Sequence, residues 1–249
     1  MADREDRSAR SGVLSRLNPL IEVLRASPER VNKVFVQNER GPNRIGEVIR
    51  EARKSGIPVV FVPKSRLDRE SPHHQGAMGI LSPRGFASLE EILATSKVPF
   101  LVLLDEIEDP QNMGAIIRSA ECAGVDGVVI TEHRSAGLTE TVSTVAAGAL
   151  EHMKVARVVN LARTMEELKA RGLWLVGAEG GGKAPWYAFD YTLPVGIVLG
   201  SEGKGLRPLV RKRCDTVLSI PLYGRITSLN VSAAAAVFLF ETARQRHKG

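Results

Sequence analysis

The sequence predicts an α/β protein in two parts: a small α/β domain over residues 13–82 and a larger domain over 98–249, joined by a linker at 83–97. The first observation behind this comes from residue 98 onward. Short runs of Val, Ile and Leu alternate there with stretches whose apolar residues recur at helical spacing, a pattern that builds parallel strands covered by helices on both faces. The second is that the same two periodicities recur ahead of it over only about 70 residues. The third is Ser82-Pro83-Arg84-Gly85, turn-forming residues that read as a hinge between the two.

Residues 1–12 are charged and Ser-rich without periodicity and read as a disordered lead. Asn18-Pro19 reads as an N-cap followed by a first-turn proline, with Leu20, Ile21 and Leu24 as the apolar stripe. Val34–Val36 is a short strand. Pro42 opens a second helix, with Ile45, Val48, Ile49 and Ala52 on one face and Gly56 as its stop. Ile57–Val62 is a strand, Ser65–Arg69 a helical turn, and Ala77–Leu81 a strand. Adjacent His73 and His74 would point to opposite faces of an extended chain and no third ligand lies near, so no metal is expected. Ser88-Leu-Glu-Glu91 is a capping box.

In the second domain, strand Phe100–Leu104 precedes Asp109-Pro110, an N-cap and first-turn proline, and a helix running to Gly124. Strand 127–131, helix 139–150 and strand 155–159 follow, then a helix capped by Asn160 and ended by Gly172, and strand 173–176. Gly177-Ala-Glu-Gly-Gly-Gly-Lys183 fits seven positions of a P-loop, but Ala184 offers no hydroxyl to Mg²⁺ and Pro185 opposes the helix that would follow. It reads as a Gly-rich loop beside a ligand site. An apolar strand from Val195 to Leu199 leads into Gly200-Ser-Glu-Gly-Lys-Gly205, whose glycines allow positive φ and close backbone approach. A last strand (Val217, Leu218, Ile220) is stopped by Pro221, and Thr227, Ser228 and Asn230 offer N-caps to a small-residue helix from Val231 to Phe240.

Composition adds bounds. A hydrophobic share of 43% with 25% charged residues is that of a soluble globular protein. No apolar run approaches the ~20 residues that span a bilayer, and no apolar signal region follows Met1, so a cytoplasmic protein is expected. Cys122 and Cys214 lack metal spacing and are expected as reduced, buried thiols. The net charge is +6, and residues 1–82 hold 15 Lys and Arg against 10 Asp and Glu, while the remainder hold 19 against 18. The positive excess therefore sits in the N-terminal third, where a module binding a polyanion would carry it.

Three stretches carry chemistry: Leu104–Gly124 with Asn112 and Arg118, Ile197–Leu206 with Glu202 between glycines, and Ile220–Phe240 with Ser228 and Asn230. In this order and at these separations they resemble the signature motifs of the SpoU/TrmH family of RNA ribose 2′-O-methyltransferases, over about the last 150 residues. The resemblance implies an α/β SPOUT domain with a parallel sheet and a trefoil knot, a homodimer through it, and S-adenosylmethionine as methyl donor. It also implies a catalytic set of Arg118, Asn112, Glu202, Ser228 and Asn230. Backbone around Gly200, Ile220 and Leu229, with Leu199, Ser201, Gly203, Leu222 and Ala178 beside it, would hold the cofactor. The family gives the activating role to the arginine at 118. A guanidinium is a poor base, so a forked hydrogen-bonding role toward the 2′-oxygen and adjacent phosphate is physically preferable. The N-terminal part resembles the L30e-like substrate-binding extension of the ribosomal-RNA branch, and a His-Gln-Gly stretch such as 74–76 commonly ends it. The expected substrate is a guanosine of 23S ribosomal RNA. Transfer RNA, or a catalytically silent RNA-binding assembly factor, are the alternatives.

Overall fold

A computed structural model describes residues 12–39, 44–72, 74–82 and 84–247. The chain divides into two compact units, and residues 138–152 belong with the first. In the first unit, β1 (Gly12–Leu14), α1 (Leu17–Ala26), β2 (Val31–Gln37), α2 (Ile45–Lys54), β3 (Val59–Val62), α3 (Lys64–Glu70) and β4 (Ala77–Leu81) follow one another. The sheet order is β1-β4-β2-β3, with β2 and β3 parallel and the other pairs antiparallel. Leu20, Ile21 and Leu24 of α1 and Val48 and Ala52 of α2 form a core against Val34, Val36 and Ala77.

Helix α1 begins before the expected Asn18 cap, because the Gln75 side chain accepts from the Leu17 amide at 2.9 Å and caps the helix from a distant loop. Strand β1 was not expected at all. Three residues carry too little periodicity, and only the β4 backbone makes them a strand. The expected Pro42 helix start, His73, Pro83 and most of the lead at 1–12 lie outside the described residues. His74 is a turn-former: its Nδ1 accepts from the Gly76 amide and its Nε2 meets Asp68 at 2.9 Å.

The chain continues with α4 (Leu89–Leu93), β5 (Phe100–Asp105), α5 (Pro110–Cys122), β6 (Gly127–Thr131), α6 (Glu140–Val145), β7 (Val155–Val158), α7 (Leu161–Ala170), β8 (Trp174–Ala178), β9 (Ala184–Pro185), β10 (Val195–Gly200), α8 (Pro208–Arg213), β11 (Thr216–Ser219) and α9 (Val231–Arg246), all but α6 in the second unit. Seven strands lie in the order β7-β6-β5-β10-β8-β11-β9, every pair parallel. The period of two in each strand divides the side chains between faces. Leu101, Leu103, Val129, Leu175 and Val198 pack toward α4, α7 and α8. Burying such side chains contributes about 1.5–3 kcal/mol each.

Residues 86–97, read from sequence as linker, pack in this unit: the expected capping box at Ser88–Glu91 is present, and Ile92 is fully buried. Helix α6 leaves it for the first unit, where Glu140 meets Ser15 and Glu151 pairs with Arg30 at 2.6 Å. Strand–helix alternation cannot reveal that departure, since a helix's periodicity does not say which sheet it covers. The P-loop-like segment makes no phosphate-capping helix, because Ala184-Pro185 pairs with β11 as a strand. Cys122 is exposed, contrary to the expected burial, while Cys214 is partly buried.

Candidate active site

Parallel strands bring their carboxyl ends to one edge of the sheet, and the three motifs meet there. Asp109 caps α5 by accepting from the Gln111 amide, which sets Asn112 in the first turn and buries it to 6% exposure. The loop after β10 carries Glu202, and the N-cap of α9 is Asn230. The Asn112 amide donates to Glu202 Oε2 at 3.1 Å. The Asn230 amide donates to Asn112 Oδ1 and to Glu202 Oε1, each at 2.8 Å. Asn230 Oδ1 meanwhile accepts from the amides of Ser232 and Ala233, so the residue that caps the helix also closes the ring. Three residues separated by 90 and 118 positions are thus locked together.

Arg118 and Ser228 stand outside this ring. Both are exposed. Arg118 sits six residues along α5 from Asn112, about 9 Å up the axis and on a different face. The ring therefore ties three loops together and presents fixed amide and carboxylate groups, while the side chain at 118 is exposed to solvent.

The remaining candidates at the strand ends converge by register. Leu199 lies opposite Ala178, which lies opposite Leu218, so β10, β8 and β11 end together, with Gly200 and Ile220 just beyond. A Cβ on Gly200 would sit 2.2 Å from the Gly205 carbonyl carbon and 2.4 Å from the Leu206 amide nitrogen, so only glycine lets the loop fold back here. Ser201 accepts from the Gly205 amide at 2.9 Å, and Gly203 takes a φ of +81°. Leu222 and Leu229 lie exposed in the loop after β11.

Two clamps went unread in the sequence. Glu179 accepts from the Leu206 amide at 3.1 Å and pairs with Arg211 at 2.6 Å. Asp105, fully buried, accepts from the Arg207 amide at 2.8 Å and pairs with its guanidinium at 2.6 Å. Together they hold the C-terminal end of the Glu202 loop. An acid ending an apolar strand, Asp105 after Leu104, was the available signal. Burial pushes the neighbouring Cys214 thiol up to about 12, so it is inert rather than nucleophilic.

Known proteins resemble this chain throughout. The model of the SpoU rRNA Methylase family matches residues 99–240, and that of the RNA 2′-O ribose methyltransferase substrate-binding domain matches 17–87. A 23S rRNA (guanosine-2′-O-)-methyltransferase, RlmB of Shewanella oneidensis, is 41% identical over 90% of this chain and 93% of its own length. YacO of Bacillus subtilis, named for the TrmH family of tRNA/rRNA methyltransferases, is 38% identical over 92% and 94%. Among solved structures, the SpoU methyltransferase AviRb of Streptomyces viridochromogenes, in complex with AdoMet, shares the fold at a TM-score of 0.81, with 24% identity and coverage of 100% and 95%.

Proposed function

Because this chain belongs to the SpoU rRNA methylase family, whose members are RNA ribose 2′-O-methyltransferases using S-adenosylmethionine, we propose that it methylates a guanosine ribose of 23S ribosomal RNA in the cytoplasm. The observation that carries the catalytic part of this reading is the Asn112–Glu202–Asn230 ring, in which one residue from each motif is hydrogen-bonded to the other two. A silent binder has no use for it. Support for ribosomal over transfer RNA comes from the RlmB relative, named for 23S rRNA and matched over 90% of this chain, while the first unit matches an RNA substrate-binding domain.

The residues fit the cofactor. The carboxyl ends of β8, β10 and β11 supply backbone at Ala178, Leu199, Gly200 and Ile220, and the tight fold-back at Gly200 keeps side chains out of that space. Ser201, Gly203, Leu222 and Leu229 border it from the two loops. When bound, S-adenosylmethionine supplies an electrophilic methyl group. The chain's own work is alignment: Arg118 holds the 2′-oxygen and adjacent phosphate by forked hydrogen bonds, and the amide–carboxylate ring fixes the loops around the ribose. Ser228, exposed beside Leu229, donates to the incoming nucleotide. A homodimer through the second unit, with a knot in its C-terminal segment, completes the reading. Support for a partner surface comes from Tyr223, Ile226 and Phe240, large apolar side chains left exposed. Among the described residues no helix is long and apolar enough to cross a membrane, and no group of side chains suits a metal ion.

The test is methylation mapping. Ribosomal and transfer RNA from a deletion strain are compared for 2′-O-methyl groups, and the purified protein is asked to restore the missing one. A lost mark in transfer RNA alone would refute the ribosomal substrate, and no lost or restored mark anywhere would refute the reading.

A further inference from the structure

A cleft of about 390 Å³ opens in the second unit at the carboxyl ends of β5, β6 and β7, and the proposed reaction makes no use of it. Its volume falls within the ~300–1,000 Å³ of ordinary ligand sites. Glu106, His133, Arg134, Val159, Arg207 and Leu209 are among the residues that line it.

Three features point to a ligand. Glu106 and Arg134 hold φ values of +58° and +54°, two of the three non-glycine residues in the left-handed region among those described, and both face this cleft. That backbone is costly for an L residue and persists only where its surroundings impose it. Next, the polar groups are held unequally. Arg207 is anchored by buried Asp105 at 2.6 Å and reaches Glu106 at 3.1 Å, fixing that carboxylate. Arg134 meets the same carboxylate only at 3.6 Å and is 71% exposed, so its guanidinium can turn to a ligand at little cost. Finally, Val159 and Leu209, 78% and 53% exposed, leave aliphatic surface beside these charges on which a flat ring can lie.

A fixed carboxylate beside a mobile guanidinium complements one base in particular. Guanine offers O6 and N7 to a guanidinium, and its N1–H and N2–H₂ to a carboxylate. The cleft also follows closely on the active-site ring. Glu106 precedes Asn112 by six residues, Arg207 follows Glu202 by five, and parallel strands place all these loops on the same edge of the sheet. We infer that this cleft is a subsite for a guanine nucleotide of the substrate RNA near the methylated position, with Glu106 and Arg134 reading the base and Val159 and Leu209 supporting its face. The inference rests on the RNA-methyltransferase reading above, while the site itself can be tested without it.

Two measurements on the full-length protein decide it. In the first, GMP, AMP, CMP and UMP are titrated while backbone amide resonances are followed. GMP should shift the amides of 131–135 and 159–162 and bind at least about fivefold tighter than the other three, and Arg134→Ala should abolish the shifts. Shifts elsewhere only, or a preference for another base, would overturn the assignment. In the second, Arg134→Ala and the surface change Val159→Ser, each checked for an unchanged melting temperature, are assayed for methyl transfer. Each should raise KM for RNA about tenfold while leaving kcat and the S-adenosylmethionine Kd unchanged. GMP binding with no change in KM would make the cleft a site for a free nucleotide and overturn the RNA assignment. If no RNA is methylated by the parent protein, the functional reading falls, and the GMP titration still settles whether the site exists.

Discussion

Gly200→Ala tests whether the fold-back after β10 makes the cofactor cradle. The added Cβ would lie 2.2 Å from the carbonyl carbon of Gly205, 2.3 Å from its oxygen and 2.4 Å from the Leu206 nitrogen. All three are backbone atoms, so no rotamer change relieves the clash, and the loop must retreat by about 1 Å to reach ordinary contact. That retreat breaks the Gly205 amide bond to Ser201 and the Leu206 amide bond to Glu179. Holding the parental loop, with both bonds intact, against this backbone clash costs roughly 2–4 kcal/mol, the upper end of overpacking because no rotamer relieves it. Cofactor affinity should fall roughly 30- to 1,000-fold, read by titration calorimetry with S-adenosylmethionine on protein shown to be folded. Gly203→Ala is the control. No atom lies within 4 Å of its added Cβ, so only the positive φ is penalised, at about 1–2 kcal/mol, and its loss should be the smaller. A folded Gly200→Ala protein binding cofactor within threefold of the parent would refute the placement of the cradle.

Arg118→Ala should abolish methyl transfer and leave the cofactor Kd unchanged, because the exposed guanidinium is assigned to the ribose and not to the cofactor; retained activity in an RNA methylation assay would remove it from the mechanism. Asn230→Ala removes both the cap of α9 and the ring, costing about 1 kcal/mol for the cap alone, whereas Asn230→Ser keeps a capping hydroxyl but cannot reach Asn112 and Glu202. Thermal unfolding should separate the two variants, and methyl-transfer assays should find both inactive. Replacing Arg50, Arg53 and Lys54, exposed together on α2, by alanine should flatten the log-affinity against log-salt slope for RNA by about two units, and an unchanged slope would mean that α2 faces solvent in the complex. With its thiol pushed up to about 12, Cys214 holds about one part in ten thousand as thiolate at pH 8. Iodoacetamide should therefore modify exposed Cys122 first and leave Cys214 intact until the protein unfolds, as peptide mass spectrometry would read.

Much of this protein is determined by local chemistry and was therefore visible in the chain. The capping box at Ser88–Glu91, the Asp109-Pro110 helix start and the Asn160 cap each depend on residues within three positions, and each appears where those residues stand. The parallel sheet followed from apolar runs such as Phe100–Leu104 alternating with stretches of helical periodicity. What depended on distant partners did not show. Gln75 caps α1 from 58 residues away, β1 exists only through β4, and α6 leaves the domain its periodicity implied. In the site, the resemblance to the family's motifs singled out Asn112, Glu202 and Asn230. Only the tertiary structure made them a ring and left Arg118 and Ser228 outside it, because hydrogen bonds across 90 and 118 residues depend on strand order and not on neighbouring sequence. Asp105 and Glu179 passed as ordinary acids until folding brought each beside the backbone amides of one loop. Their role is a matter of where the chain returns, and a linear sequence carries no local trace of that.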